Sequence, residues 1–316
     1  MHKRQLGKTG IEVAPLCFGG NVFGWTIDEK TSFAILDSFF ESGFNFIDTA
    51  DVYSRWVPGN KGGESEVIIG KWMKERKIRS EVVVATKVGM EMSPDKKGLK
   101  AAYIKEAVED SLARLQTDYI DLYQSHTDDI ETPIEETLAA YDALLKEGKV
   151  RAIGASNFNG KRLQESLHIS EKEGYPSYVT LQPKYNLHDR EYFEKELEAI
   201  CLKNNVGVIP YYSLASGFLT GKYRSKEDVK KSARGEKALS YLDERGLKIL
   251  AAMDDISKAH QVKPATIALA WLMQRKSVTA PIASATSLEQ LKDLTKAASI
   301  KLATVEVEKL DFESRY

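Results

Sequence analysis

The chain has 316 residues, which suits either two ordinary domains or one large barrel, so the pattern along it has to decide. Hydrophobic residues make up 42% of it, and 45 positive against 46 negative side chains leave a net charge of −1. A polynucleotide binder carries a basic excess, so no nucleic-acid partner is expected. Cys17 and Cys201 sit in apolar runs without metal-ligand spacing and read as core thiols, which fits a cytoplasmic protein. Met1-His2-Lys3-Arg4-Gln5 leads into no apolar segment of a signal peptide. The uncharged stretch from Asn204 to Gly221 is broken by Pro210, serines and glycines, so no membrane span or membrane partner is expected.

In chain order, Gln5–Pro15 predicts a hairpin around the turn Gly7-Lys8-Thr9-Gly10, placed to plug a barrel bottom. Short apolar runs then alternate with helical patterns. Leu16–Gly19 precedes a helix at about 29–42, Phe44–Asp48 one at about 63–77, and Val82–Lys87 one at about 100–115. Tyr119–Gln124 precedes a helix at about 134–147, Val150–Ser156 one at about 160–173, and Tyr178–Gln182 one at about 190–204. Gly207–Tyr211 leads through a long loop to helices at about 246–260 and 264–275, and Val278–Ile282 to a last pair. Continuous apolar strands mean that both sheet faces are covered. Eight strand–helix units imply parallel strands with right-handed crossovers, closed as a (β/α)8 TIM barrel. No linker or second composition regime divides residues 1–316, so one domain is expected.

The polar residues at the strand C-terminal ends, the mouth of such a barrel, form a series: Asp48 with Tyr53 beyond it, Lys87, His126, Ser156-Asn157, Gln182 and Tyr211. A free tyrosine is a weak acid with pKa near 10, and a nearby ammonium lowers that value. Lys87 is expected to act so on Tyr53, with Asp48 as its counter-charge and His126 orienting a substrate oxygen. Singly, each residue reads as a turn, edge, cap or structural residue; their joint placement on successive strand ends is what points to proton transfer.

These residues resemble the aldo-keto reductase superfamily, related to its bacterial and potassium-channel β-subunit-like branch. The matching segments are Phe46-Ile47-Asp48-Thr49-Ala50-Asp51-Val52-Tyr53, Ala85-Thr86-Lys87, Asp121-Leu122-Tyr123-Gln124-Ser125-His126, Gly154-Ala155-Ser156-Asn157-Phe158 and Leu181-Gln182-Pro183-Lys184-Tyr185-Asn186-Leu187, followed by the Tyr211–Tyr223 run. The resemblance implies a catalytic tetrad of Asp48, Tyr53, Lys87 and His126, with Tyr53 as proton donor to an aldehyde or ketone reduced by hydride transfer. It implies NADP(H) as cofactor, with NAD(H) as the alternative. Ser156, Asn157 and Gln182 would hold the carboxamide and Tyr211 would stack on the nicotinamide, with Gly20, Asn21 and Asp48 also cofactor-binding. Tyr212, Ser213, Leu214, Ala215, Gly217 and Lys222 would strap the pyrophosphate, joined by Arg234, and Ser284, Thr286 and Gln290 would meet the adenine end.

The chain departs from the family pattern at the strap, which reads Tyr211-Tyr212-Ser213-Leu214, at Leu294, where the family often has Asn, and at Thr127, where it often has Trp. Trp25 and Trp56, with His126, are expected to bind a small-molecule substrate. Phe23, Val57, Thr127, Asp128 and Phe158 would border the pocket. Five scattered histidines offer no paired metal ligands, so no metal is expected. A redox-sensing subunit without turnover, or an NAD-dependent sugar or alcohol dehydrogenase, remains the alternative. Substrate and oligomeric state are not legible at this level.

Overall fold

The computed structural model describes residues 2–231 and 235–316. At the N-terminus β1 (Arg4–Gln5) pairs antiparallel with β2 (Glu12–Val13), and Thr9 Oγ1 donates to the Leu6 carbonyl at 2.8 Å in the turn between them. Eight parallel strands follow: β3 (Cys17–Gly19), β4 (Phe46–Asp48), β5 (Val83–Val88), β6 (Leu122–Ser125), β7 (Ile153–Ser156), β8 (Thr180–Gln182), β9 (Gly207–Val208) and β10 (Ile282–Ala283). They run β10-β3-β4-β5-β6-β7-β8-β9 around the sheet. The Val208–Val278 bridge closes it, with Thr279 N donating to the Val208 carbonyl at 2.7 Å and Ile282 N to Pro210 at 3.0 Å. The result is a (β/α)8 barrel with a hairpin before it.

Around it lie α1 (Glu29–Glu41), α2 (Glu64–Arg76), α3 (Ala101–Leu115), α4 (Ile134–Lys146), α5 (Gly160–Glu173), α6 (Glu198–Asn204), α7 (Gly235–Leu239), α8 (Glu244–His260), α9 (Pro264–Met273), α10 (Leu288–Lys296) and α11 (Thr304–Glu313). Their starts are set locally. Asp28, Asn159, Asp243 and Ser287 each accept from a backbone N–H three residues on, and Pro264 opens α9. The helix expected at about 190–204 is split: Phe193–Leu197 is a single π turn, and α6 follows it.

Two hydrophobic layers hold the barrel. The outer one lies between strands and helices. The inner one contains Leu6, Ile11 and Val13 of the hairpin packed against Cys17, Phe46 and Leu122, so the hairpin fills the barrel's lower end. Arg4 fixes it there by donating to the carbonyls of Met273, Val278 and Thr279. Helices α2 and α3 approach so closely at Gly70 that a Cβ there would run into the Arg114 carbonyl. That approach sets Glu66 beside Arg114, with Nε to Oε2 at 2.6 Å. No described helix is long and apolar enough to cross a membrane.

Candidate active site

The strand register builds the site. Asp48 ends β4, Lys87 pairs with Gln124 near the ends of β5 and β6, and Ser156 pairs with Gln182 at the ends of β7 and β8, so the polar residues gather at the C-terminal mouth. Lys87 is fully buried. Its ammonium donates to Asp48 Oδ2 at 2.6 Å, to the Thr49 carbonyl at 2.7 Å and to Tyr53 Oη at 3.2 Å. The other Asp48 oxygen, Oδ1, accepts from Gln182 Nε2 at 2.9 Å and from Gln124 Nε2 at 3.1 Å. The carboxylate is thus met on both sides, as a buried charge requires. The His126 ring lies 5.9 Å from that of Tyr53, centre to centre.

The groups on the other wall connect to this cluster. Tyr211 Oη donates to Asn157 Oδ1 at 2.8 Å; Asn157 Nδ2 reaches the His126 carbonyl at 2.9 Å and Ser156 Oγ at 3.3 Å. Ser156 Oγ in turn donates to the Gln182 carbonyl at 2.9 Å. One hydrogen-bonded chain therefore runs from Tyr211 through Asn157, Ser156, Gln182 and Asp48 to Lys87 and Tyr53. Asn157 sits at φ +57°, in a left-handed conformation that asparagine tolerates, which turns the chain out of β7 toward His126.

Burial pushes the Tyr53 phenol up; Lys87 opposes this and Asp48 adds to it, and the net direction is upward. This corrects the expectation that Lys87 makes Tyr53 more acidic than free tyrosine. The ammonium acts in the expected sense, but loss of water outweighs it. Tyr53 therefore holds its proton at neutral pH. Burial also works against the Lys87 ammonium, but Asp48 and then Tyr53 prevail and its pKa is raised. Burial, helped by Lys87, drives His126 well below its ordinary range, so its imidazole is neutral, and Nδ1 has no hydrogen-bond partner among the described residues.

Trp56 is 48% exposed, its ring 5.8 Å from Tyr53 and edge-on to Trp25 at 5.6 Å. Trp56 thus borders Tyr53 and Trp25 backs it from behind, with Val57, the residue after Trp56, half-buried. Phe23 is instead buried against Phe18, and Phe158 against Tyr178, so both pack in the core rather than facing the mouth. Asp128 is turned away to Arg162 at 2.9 Å, leaving Thr127 half-exposed beside His126.

In the strap, Tyr211 and Tyr212 lie edge to face at 5.1 Å, and burial raises the Tyr211 phenol to about 12. Ser213 is turned inward, donating to the Pro210 carbonyl at 3.0 Å; Ala215 is buried and Leu214 half-buried. Gly217 has φ +96°, and Lys222 Nζ lies 4.0 Å from where a Cβ would stand there. Arg234 lies outside the described residues. At the seam between β3 and β10, Ser284 Oγ lies 2.8 Å from Asn21 Oδ1 and 2.7 Å from the Gly19 carbonyl, with Gly20 buried alongside. Thr286 and Gln290 bond to each other, with the Thr286 hydroxyl 3.1 Å from Gln290 Oε1. Leu294 is buried.

The aldo/keto reductase family model matches residues 15–312. The chain belongs to the aldo/keto reductase family. Among its relatives in the family, it is 38% identical over 310 residues to the uncharacterized oxidoreductase YrpG of Bacillus subtilis (strain 168), covering 96% of this chain and 92% of that protein. It is 33% identical to aldo-keto reductase AFTS1 of Alternaria alternata, over 95% of this chain and 88% of that one. It is 30% identical to protein tas of Escherichia coli (strain K12), over 96% and 94%. These relationships make this family member an oxidoreductase and support carbonyl reduction. Two further residues join the site beyond those picked out from the sequence. Gln124 ends the predicted run Tyr119–Gln124, and its amide reaches Asp48 Oδ1 at 3.1 Å. Lys237, on the short helix α7, reaches the Tyr212 hydroxyl at 3.2 Å.

Proposed function

We propose that the chain is an NAD(P)H-dependent reductase of aldehydes or ketones in which Tyr53 gives the proton. The observation that carries this is the buried Lys87 ammonium bridging Asp48 and the Tyr53 hydroxyl, beside a neutral His126. The donor set fits a nicotinamide nucleotide. Ser156, Asn157 and Gln182 are clustered amide and hydroxyl groups suited to a carboxamide, with Tyr211 as the flanking aromatic. Lys222 and the glycine-bearing turn at Gly217 suit a pyrophosphate, with Ser284, Thr286 and Gln290 toward the adenine end. A reduced nicotinamide, when bound, supplies hydride to the carbonyl carbon. The chain's own residues do the rest. Neutral His126 donates a hydrogen bond to the substrate oxygen and orients it. Tyr53 Oη passes its proton to that oxygen as negative charge develops there. Lys87 stabilises the phenolate left behind, and Asp48, held by Gln124 and Gln182, keeps Lys87 charged and in place. Trp25 and Trp56 exclude water from one side of the substrate. Two buried free thiols, Cys17 and Cys201, suit a cytoplasmic enzyme.

Turnover of a panel of aldehydes and ketones, followed by nicotinamide absorbance with each cofactor, tests the reading. Oxidation of NADPH or NADH that depends on the carbonyl is expected; none across the panel would leave a cofactor-binding, non-catalytic protein. The same assay measures cofactor preference. A 2′-phosphate is held best by arginine or lysine. The segment from Ser284 to Leu294 presents Ser284, Thr286 and Gln290, already hydrogen-bonded to protein groups, and one exposed cation, Lys292. A modest preference for NADPH, within about ten-fold in kcat/KM, is therefore expected; about 10³-fold, or roughly 4 kcal/mol, would require a cation beyond these.

Among the described residues no cluster of His, Cys, Asp or Glu is arranged to hold a metal ion. Chelation and dialysis are expected to leave full activity. A stoichiometric metal in elemental analysis, with activity lost on its removal, would refute the tyrosine-acid mechanism.

A further inference from the structure

Two residues before Tyr53 on the same turn stands Asp51, whose N–H donates to the Lys87 carbonyl at 3.3 Å. Its side chain is buried, and among the described residues no side chain hydrogen-bonds either carboxyl oxygen; the nearest donor is the N–H of Val52, next in the chain. The cations around it are committed. Arg114 on α3 donates to Glu66 on α2 at 2.6 Å, and Glu66 also accepts from Thr86 on β5. Lys87 is held by Asp48 at 2.6 Å. Three buried acids, Asp48, Glu66 and Asp51, thus face one buried cation, Lys87, and one half-buried cation, Arg114, and the third carboxyl has no ion-pair partner of its own. The remaining groups that feel the charge of Asp51 are the phenols of Tyr103 on α3, Tyr123 on β6 and Tyr141 on α4, none of which offers a positive charge.

We propose that Asp51 is a positioning residue for Tyr53 that works as a neutral carboxylic acid, so that losing its proton disarms the site. The inference rests on the reductase reading above. An anion at Asp51 would stand beside Glu66 without a cation of its own and would strain the turn that carries Tyr53. Burial, then Glu66, raise the Asp51 carboxyl to about 8, against the opposing pull of Arg114, the Val52 N–H and Lys87. The sign follows. The folded state keeps a proton that the unfolded chain gives up at its ordinary value of 3.8, so stability contributed by Asp51 falls as pH rises from there to about 8.

The test measures kcat from about pH 6.5 to about pH 9, with thermal midpoints over a wider range, for the native chain and two variants. In the native chain, kcat at about pH 9 is expected about ten-fold below its value at about pH 6.5. Asp51→Asn cannot lose a proton, so its ratio approaches one. Glu66→Gln removes the anion that raises Asp51 and leaves Arg114 to lower it, so its alkaline limb moves to lower pH. A residue that only packs would not move the limb in opposite directions. A limb that stays in place, or moves the same way in both variants, overturns the proposal. Thermal midpoints read Asp51 without turnover: the advantage of Asp51→Asn over the native chain is expected to grow from acid to alkaline pH. If no carbonyl turns over, the reductase reading fails on its own, and a midpoint difference independent of pH sinks the neutral acid separately.

Discussion

Replacing Tyr53 by Phe is expected to lower kcat by about 10²–10⁴-fold, the usual worth of a positioned general acid. The substitution removes one oxygen whose hydrogen-bond donor in the structure is Lys87 Nζ at 3.2 Å. It keeps the ring that packs edge-on against Trp56 and His126, so the pocket wall survives. The residues assigned to the nicotinamide stand on β7, β8 and the strap, and none of them bonds the Tyr53 hydroxyl. Nucleotide affinity, read by fluorescence quenching, should therefore change by no more than a few-fold. Turnover at the native rate in Tyr53→Phe would remove Tyr53 from the mechanism; lost turnover with equally lost nucleotide binding would mean that the ring, not the proton, was at stake.

Lys87→Met should act on turnover and on stability together. The isosteric stem refills the space in the barrel, but Asp48 is left as a buried carboxylate with only the amides of Gln124 and Gln182. Breaking one half of such a pair costs about 3–5 kcal/mol, measurable as a lower urea midpoint. The phenol of Tyr53, already raised by burial, loses the one group that opposes the rise, so kcat falls and its pH profile is displaced. The native pair has its own pH window. Lys87 is held above its ordinary 10.5, so its contribution is complete through neutral pH and is lost only as pH rises past that value. An unchanged rate, profile and urea midpoint in Lys87→Met would mean that the lysine does not support the acid.

The barrel was legible because its strands are short apolar runs flanked by helical periodicity, a pattern that survives without knowing any contact. Strand limits were less so. Phe44 and Tyr119 extend the apolar runs but precede the paired residues, because pairing begins only where neighbouring strands overlap. The π turn at Phe193–Leu197 has an ordinary helical composition, and nothing local marks it. At the site, Asp48, Tyr53, Lys87 and His126 could be picked out as strand-end polar residues. What joins them could not. Gln124 and Gln182 reach Asp48 because β6 and β8 turn those residues inward, and that follows from barrel closure. Asp51 is buried by α2 and α3, helices whose close crossing depends on Gly70. Desolvation of Tyr53 is likewise a sum over many distant residues, which is why its acidity was misjudged from Lys87 alone.

The seam between the two ends of the chain has a consequence for biosynthesis. Arg4 reaches the carbonyls of Val278 and Thr279, 274 and 275 positions further on, and β3 finds its second neighbour only in β10. At about 5–20 residues per second on a ribosome, the first strand waits on the order of tens of seconds for that neighbour to be made. During that time β3 is an open sheet edge, joined by β9 once that strand is made, and such edges are the kind of surface that recruits strands from other chains. The plugged lower end is also incomplete, because the carbonyls that anchor Arg4 have yet to emerge. The barrel of a nascent chain therefore cannot close until its last strand is out.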